Sequence, residues 1–224
     1  MREVHLAAAT LGAAVGVRLA RPDRGGECCG ALALHAGLRH DARVLAERVI
    51  GSMPGDAPIV VDSAGCGAAL KDYGDLVGTD AARAFAARVV DVHEWLAQQP
   101  PLPVVPTGRR VVVQDPCHLR HVQRAHGAVR TVLSEAYELV EIDDDGLCCG
   151  AGGAYSLAQP GLSGQILERK ATAIRAAAGG SDVVVASANP GCAIQLRTAG
   201  FSVAHPVELL ADALDRTSDR PGEQ

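Results

Sequence analysis

The residues with the most chemical potential in this chain are its cysteines, and their spacing is patterned. Cys148-Cys149-Gly150 is preceded by Cys117, 31 positions before Cys148, and is followed at long range by Cys192 in Asn189-Pro190-Gly191-Cys192. Cys28-Cys29-Gly30 occurs once earlier, again followed at long range by a single cysteine, Cys66, in Gly65-Cys66-Gly67. Six of the seven cysteines thus form two copies of one pattern, and Cys117 leads the second copy. Adjacent cysteines make poor structural disulfides, because bridging neighbours closes a ring far from ordinary disulfide geometry. An odd total fits disulfides badly too. Metal ligation or thiol chemistry is therefore favoured.

Zinc draws on Cys-x2-Cys knuckles, and no two of the seven cysteines have that spacing. Iron–sulfur clusters take thiolates from loops that also turn backbone N–H groups toward sulfur, and Gly30, Gly65, Gly67, Gly150, Gly152, Gly153 and Gly191 leave such backbone uncovered. Cys117, Cys148, Cys149 and Cys192 match the four irons of a 4Fe-4S cluster. Cys28, Cys29 and Cys66 are candidate metal ligands as well, but form an incomplete set. A zinc-stabilised or cofactor-free interaction module, and a thiol–disulfide enzyme using Cys28-Cys29 or Cys148-Cys149 directly, stay open as alternatives.

These cysteines need elements to place them. Short apolar runs at Ile59-Val60-Val61, Val111-Val112-Val113 and Val183-Val184-Val185 read as buried parallel strands, and each delivers a cysteine segment at its carboxyl end, where open α/β sheets build their sites. Further strands are expected at 15–19, 89–92 and 139–142, and helices at 4–11, 32–50, 81–90, 122–135 and 162–178. Four prolines between Pro100 and Pro106 mark a linker. The expected fold class is α/β: two related halves, each a mostly parallel sheet flanked by helices, at residues 1–105 and 106–216, with a polar tail at 217–224. The spacing of Cys117 ahead of Cys148, applied to Cys28, falls just upstream of Met1, so a leading cysteine is expected to be encoded there.

At 224 residues and 48% apolar composition, the chain can bury a substantial core. A net charge of −5 and a pI near 5.9 exclude the basic footprint of a nucleic-acid binder. The apolar run at Leu6 to Val17 is too short to span a bilayer and lacks the basic flank of a signal peptide, which points to a cytoplasmic protein. Other residues have plainer readings. His118 is equally a ligand or a helix-capping residue. His93 and His205 are expected at equivalent places in the two halves with a packing role. Lys71, Asp72 and Tyr73 read as a solvated helix face, Asp143 to Asp145 as an acidic turn, and Arg18, Arg21 and Arg24 as a solvated edge. Gly150-Ala151-Gly152-Gly153 lacks the spacing of a dinucleotide loop.

The doubled cysteine pattern resembles the cysteine-rich CCG domain pair of the heterodisulfide reductase family. The segments Ala64 to Gly74, Asp115-Pro116-Cys117-His118-Leu119, Leu147 to Gly153 and Ala188 to Cys192 resemble, more closely, the C-terminal part of the glycolate oxidase iron-sulfur subunit family. That resemblance implies an electron-transfer subunit of a 2-hydroxy-acid dehydrogenase. It implies a 4Fe-4S cluster in the second repeat and an incomplete one in the first, FAD only on a partner subunit, and relay of electrons toward the quinone pool. The implied partners are a flavin-containing subunit and a ferredoxin-like domain or chain, with peripheral association at the inner face of the membrane through the complex. Three departures stand out. There is no Cys-x2-Cys-x2-Cys run, the first repeat lacks its leading cysteine, and Ser63 and Asn189 stand where heterodisulfide reductase has further cysteines. A fragment, a split-gene half or a late-start reading frame is expected on those grounds.

Overall fold

The computed structural model describes residues 2–22, 24, 26–180 and 182–218. The chain opens with α1 (Arg2–Ala14), then α2 (Ala31–His35) and α3 (Arg39–Ser52). β1 (Ile59–Val61) leads into α4 (Ala64–Lys71), α5 (Tyr73–Val77) and α6 (Asp80–Ala87), and β2 (Val89–Asp91) leads into α7 (Val92–Ala97). β3 (Arg110–Gln114) is followed by a π-helical turn (His118–Gln123), α8 (His126–Leu133) and β4 (Glu138–Val140). α9 (Tyr155–Ala158), α10 (Pro160–Ala178), β5 (Val184–Ser187), α11 (Pro190–Thr198), β6 (Val203–Ala204) and α12 (Pro206–Ser218) complete the order.

All strand pairs are parallel, in two sheets: β1-β2, and β4-β3-β5-β6. The strands are short runs of β-branched residues without polar alternation, as expected for strands covered on both faces. Val111, Val112 and Val113 are at most 2% exposed. The sheets are not separate bodies. One apolar cluster runs from Leu11 of α1 through Trp95 of α7 and Val113 of β3 to Leu210 of α12. Across it, α1 packs on α12 while α8 packs on α7, an exchange of partners that relates the halves by an approximate two-fold.

Several expected boundaries differ. The helix expected over 32–50 is two helices, split where Gly37 takes φ 78°. That over 122–135 breaks at Arg124, at φ 58°. The helix expected at 81–90 stops at Ala87, because Val89 and Val90 already belong to β2. Residues 15–19 form no ladder among the described residues, although Val15, Val17 and Leu19 are half-buried and Gly16 and Arg18 exposed, the period-two burial of a strand. α12 extends through residues 217 and 218, the first two of the expected tail, and the rest of that tail lies outside the described residues, as do Asp23 and Gly25 of the turn before Cys28.

Candidate metal centre

Cys117 follows β3 at the start of the π-helical turn, and Cys192 sits in the first turn of α11 after β5. β3 and β5 are neighbours in register, with Gln114 beside Ser187, so parallel pairing alone brings these two cysteines to one end of the sheet. The intervening loop is fixed by charge. Arg130 donates to both carboxylate oxygens of the 5%-exposed Asp115, at 2.9 and 3.1 Å, and Arg120 adds a third bond at 3.1 Å. A bidentate guanidinium holds the carboxylate in one orientation, and with it the backbone two residues before Cys117.

Cys148 and Cys149 come from the loop after β4. Gly150 is at φ 89°, and a Cβ there would lie 2.5 Å from the Ser163 carbonyl oxygen, so only glycine lets this loop close onto α10. Ser163 ties it down by donating its hydroxyl to Gly150 O at 2.8 Å. The four sulfurs then form a continuous series: Cys117 with Cys148, Cys148 with Cys149, Cys149 with Cys192. Hydrogen bonds from Cys117 and Cys149 hold the Cys148 thiol well below its ordinary pKa, helped by the Gly150 N–H at 3.3 Å and by Lys170. Cys192 is lowered in the same way by the Cys149 thiol, by Asn189 Nδ2 at 3.4 Å and by Lys170. Cys117 and Cys149 are raised, first by sharing their protons with those neighbours and then by burial. Backbone N–H groups of His118 and Ala151 also point at Cys117 and Cys149.

In the first half, Cys29 donates to Cys66 at 3.1 Å, and this bond, with help from the Ser63 hydroxyl, brings the Cys66 thiol down to about 7 against the opposing effect of burial. The same pairing and burial raise Cys29. Cys28 is exposed. Cys66 occupies the first turn of α4 after β1, the place Cys192 holds after β5. Among the described residues no three His, Cys, Asp or Glu side chains converge on a point where one metal ion could sit.

The thiols fit an iron–sulfur group by their chemistry. Four come from four separate positions on three loops, part-buried to buried, each met by a backbone or amide N–H, and an adjacent cation favours the thiolate form. A single tetrahedral ion requires its donors to converge on one point, whereas a cluster takes its thiolates on different irons.

Spacing alone did not reveal several residues of this site. Lys170 is 1% exposed and pairs with Asp144, so the acidic turn serves as counter-ion to a buried lysine that stands among the helical positions of α10. Asn189 accepts from Gly65 N at 3.0 Å while donating to Cys192, and so links the Cys66 loop to the second-half site. Gln123 makes a second link, donating to Ala64 O at 2.9 Å. Tyr73 is wholly buried and donates to Cys29 O at 2.9 Å, which corrects its reading as part of a solvated face. His118 lies 3.6 Å from the Cys117 sulfur and stacks on His35 of α2; burial first, and His35 second, lower its pKa.

His93 and His205 are not equivalent. Val89 is the first paired residue of β2 and Val203 the first of β6, so the residues two further on, Asp91 and His205, hold matching places. Both cap the helix that follows: Asp91 Oδ1 accepts from His93 N, and His205 Nδ1 accepts from Val207 N. The two imidazoles instead stack across the two-fold, 5.5 Å apart.

Comparison with known proteins accords with this geometry. The family described as a cysteine-rich domain, CCG, matches residues 1–71 and 111–197. The chain is 32% identical over 202 residues to the glycolate oxidase iron-sulfur subunit of Escherichia coli, covering 84% of this chain and 49% of that one. It is 31% identical over 184 residues to the probable glycolate oxidase iron-sulfur subunit of Bacillus subtilis, covering 76% and 40%. To lactate utilization protein A of Macrococcus caseolyticus it is 24% identical over 210 residues, covering 86% and 84%. The chain thus spans about half the length, or less, of the glycolate oxidase subunits it matches. With both Cys-Cys-Gly segments inside the matched residues, the chain belongs to the cysteine-rich CCG domain family.

Proposed function

We propose that this chain is the iron–sulfur electron-transfer part of a 2-hydroxy-acid dehydrogenase of the glycolate or lactate type, with the cluster held by Cys117, Cys148, Cys149 and Cys192. The observation that carries this reading is the continuous series of four thiols, each met by an N–H donor and flanked by buried Lys170. A 4Fe-4S group bound there would accept and pass on single electrons. The chain's own residues orient the thiols, favour the thiolate forms of Cys148 and Cys192 and exclude water with the Cys149–Ala151–Cys192 apolar packing. The names of the relatives support the assignment. On this proposal the hydroxy acid is oxidised on a flavin carried by a partner subunit, a ferredoxin-like domain or chain completes the relay, and the complex lies peripherally at the cytoplasmic face of the membrane. No helix among the described residues is long and apolar enough to cross a bilayer.

Iron and acid-labile sulfide analysis of anaerobically purified protein tests the proposal. Iron and sulfide in equal amounts are expected in the parent chain, and Cys117→Ser, Cys148→Ser, Cys149→Ser or Cys192→Ser should each lose most of both. Zinc without sulfide, or full iron in Cys117→Ser, would refute it. The Cys29–Cys66 contact favours a second reading for the first half, thiol–disulfide exchange through the Cys66 thiolate. If that reading is correct, Cys66→Ser abolishes thiol exchange and leaves iron content unchanged.

A further inference from the structure

Among the described residues Lys170, at 1% exposed, is the one buried lysine or arginine. It lies two helical turns after Ser163 on the inner face of α10, with Ala171, Ile174 and Ala178. Ser163 holds the cysteine loop through Gly150 O at 2.8 Å, and Gln195 of α11 donates to the same hydroxyl at 3.0 Å. The face that carries Lys170 is therefore the one on which the Cys148-Cys149 loop and the helix of Cys192 are anchored. Its ammonium acts on both, favouring the thiolate of Cys148 after β4 and that of Cys192 after β5.

The other cations of the centre are placed differently. Arg120 and Arg130 flank Cys117, but their side chains are 34% and 25% exposed, and they share the carboxylates of Asp115 and Glu141. Water and those partners screen them. Lys170 pairs with Asp144 on the turn before Cys148, and neither side chain is more than 7% exposed. As a fastening alone such a pair is expensive, because desolvation offsets most of the attraction, and the Ser163 hydroxyl already ties the loop. What a buried ammonium supplies beside thiolates is a fixed positive charge in a medium of low dielectric, where its effect on a neighbouring charge is strongest.

We propose that Lys170 raises the reduction potential of the centre, and that Asp144 keeps its ammonium in place and moderates its field. This rests on the iron–sulfur reading of the four thiols. One electron, supplied on that reading by the reduced flavin of the partner subunit, adds one negative charge to a 4Fe-4S group held there. The ammonium stabilises that added charge without giving up a proton, so the centre becomes a better electron acceptor. Lys170 is a positioning residue for charge and does not ligate iron.

The full 224-residue chain, purified anaerobically, is titrated with dithionite and ferricyanide in the presence of redox mediators, and the reduced centre is followed by EPR. Lys170→Met is expected to make the centre at least about tenfold harder to reduce, a midpoint lower by about 59 mV or more for one electron. Asp144→Asn, which removes the counter-ion, is expected to move the midpoint upward. The double variant should fall between the two single variants, and its comparison with Asp144→Asn decides the matter where Lys170→Met assembles no centre. Midpoints that coincide with and without the lysine would overturn the proposal, whatever happens to stability, and would leave the iron–sulfur reading standing. A parent chain without iron and sulfide would overturn both.

Discussion

Lys170→Met tests the electrostatics of the centre most directly. The ammonium is 1% exposed, its partner Asp144 carboxylate 7%, and Asp144 also accepts from Gly146 N at 3.0 Å. Removing the lysine leaves a carboxylate buried without its counter-ion, a change that costs about 3–5 kcal/mol, whereas removing both charges costs far less because no charge is stranded. With a urea m-value of roughly 2–3 kcal/mol/M for a chain of this size, the midpoint of the metal-free, reduced protein should fall by about 1–2 M in Lys170→Met. Lys170→Met combined with Asp144→Asn, which keeps an acceptor for Gly146, should recover at least about half of that loss. A double-mutant cycle by urea unfolding, followed by circular dichroism, measures the coupling. A loss below about 1 kcal/mol in the single variant, or a double variant less stable than the single, would refute the claim that this pair is a buried ionic anchor.

Three further outcomes follow from the same contacts. His205 uses both ring nitrogens, donating to Asp62 O at 2.8 Å and accepting from Val207 N at 3.2 Å, and burial, then His93, push its pKa down to about 3. The unfolded chain gains a proton below about pH 6.5 that the folded chain refuses until near 3, so stability falls as pH drops through that window, by up to about 1.4 kcal/mol per pH unit. His205→Gln should flatten the slope of unfolding free energy between pH 6 and 4 by up to about one proton, and an unchanged slope would count against the assignment. Asn189→Ala removes bonds to Gly65 N and Cys192 and should cost about 1–2 kcal/mol in the metal-free protein, measured by urea unfolding, with a loss under about 0.3 kcal/mol as the contrary result. Tyr73→Phe strands Cys29 O and should lower stability by about 1–2 kcal/mol; an unshifted thermal midpoint would show that the bond carries no weight.

The parts of the structure legible in the sequence were those encoded locally. Ile59-Val60-Val61 and Val111-Val112-Val113 announced buried parallel strands because nothing polar interrupts them, and the cysteines after them had to lie at carboxyl ends. The breaks at Gly37 and Arg124 were less visible, since helical spacing continues through both and only the backbone turns left-handed. Lys170 and Asp144 were hidden for another reason. Each looks solvated in its own segment, and their burial arises only when the loop at Gly150 closes onto α10. Trp95 and Leu209, on helices far apart in the sequence, belong to one cluster, a contact that no local pattern encodes.

Ser63 and Asn189 carry the comparison of the two halves furthest. By the resemblance read from the sequence, they stand where heterodisulfide reductase is expected to carry further cysteines. In the structure both follow a strand and cap the helix that bears the remaining cysteine, and each points its polar atom at that cysteine: Ser63 at Cys66, Asn189 at Cys192. They also meet each other across the two-fold, with Ser63 Oγ 3.5 Å from Asn189 Oδ1 and Gly65 N at 3.0 Å from the same oxygen. A cysteine at either position could not donate and accept in this way with comparable strength, since a thiol is weak in both roles. Ser63 and Asn189 thus form a polar bridge between the Cys66 and Cys192 loops.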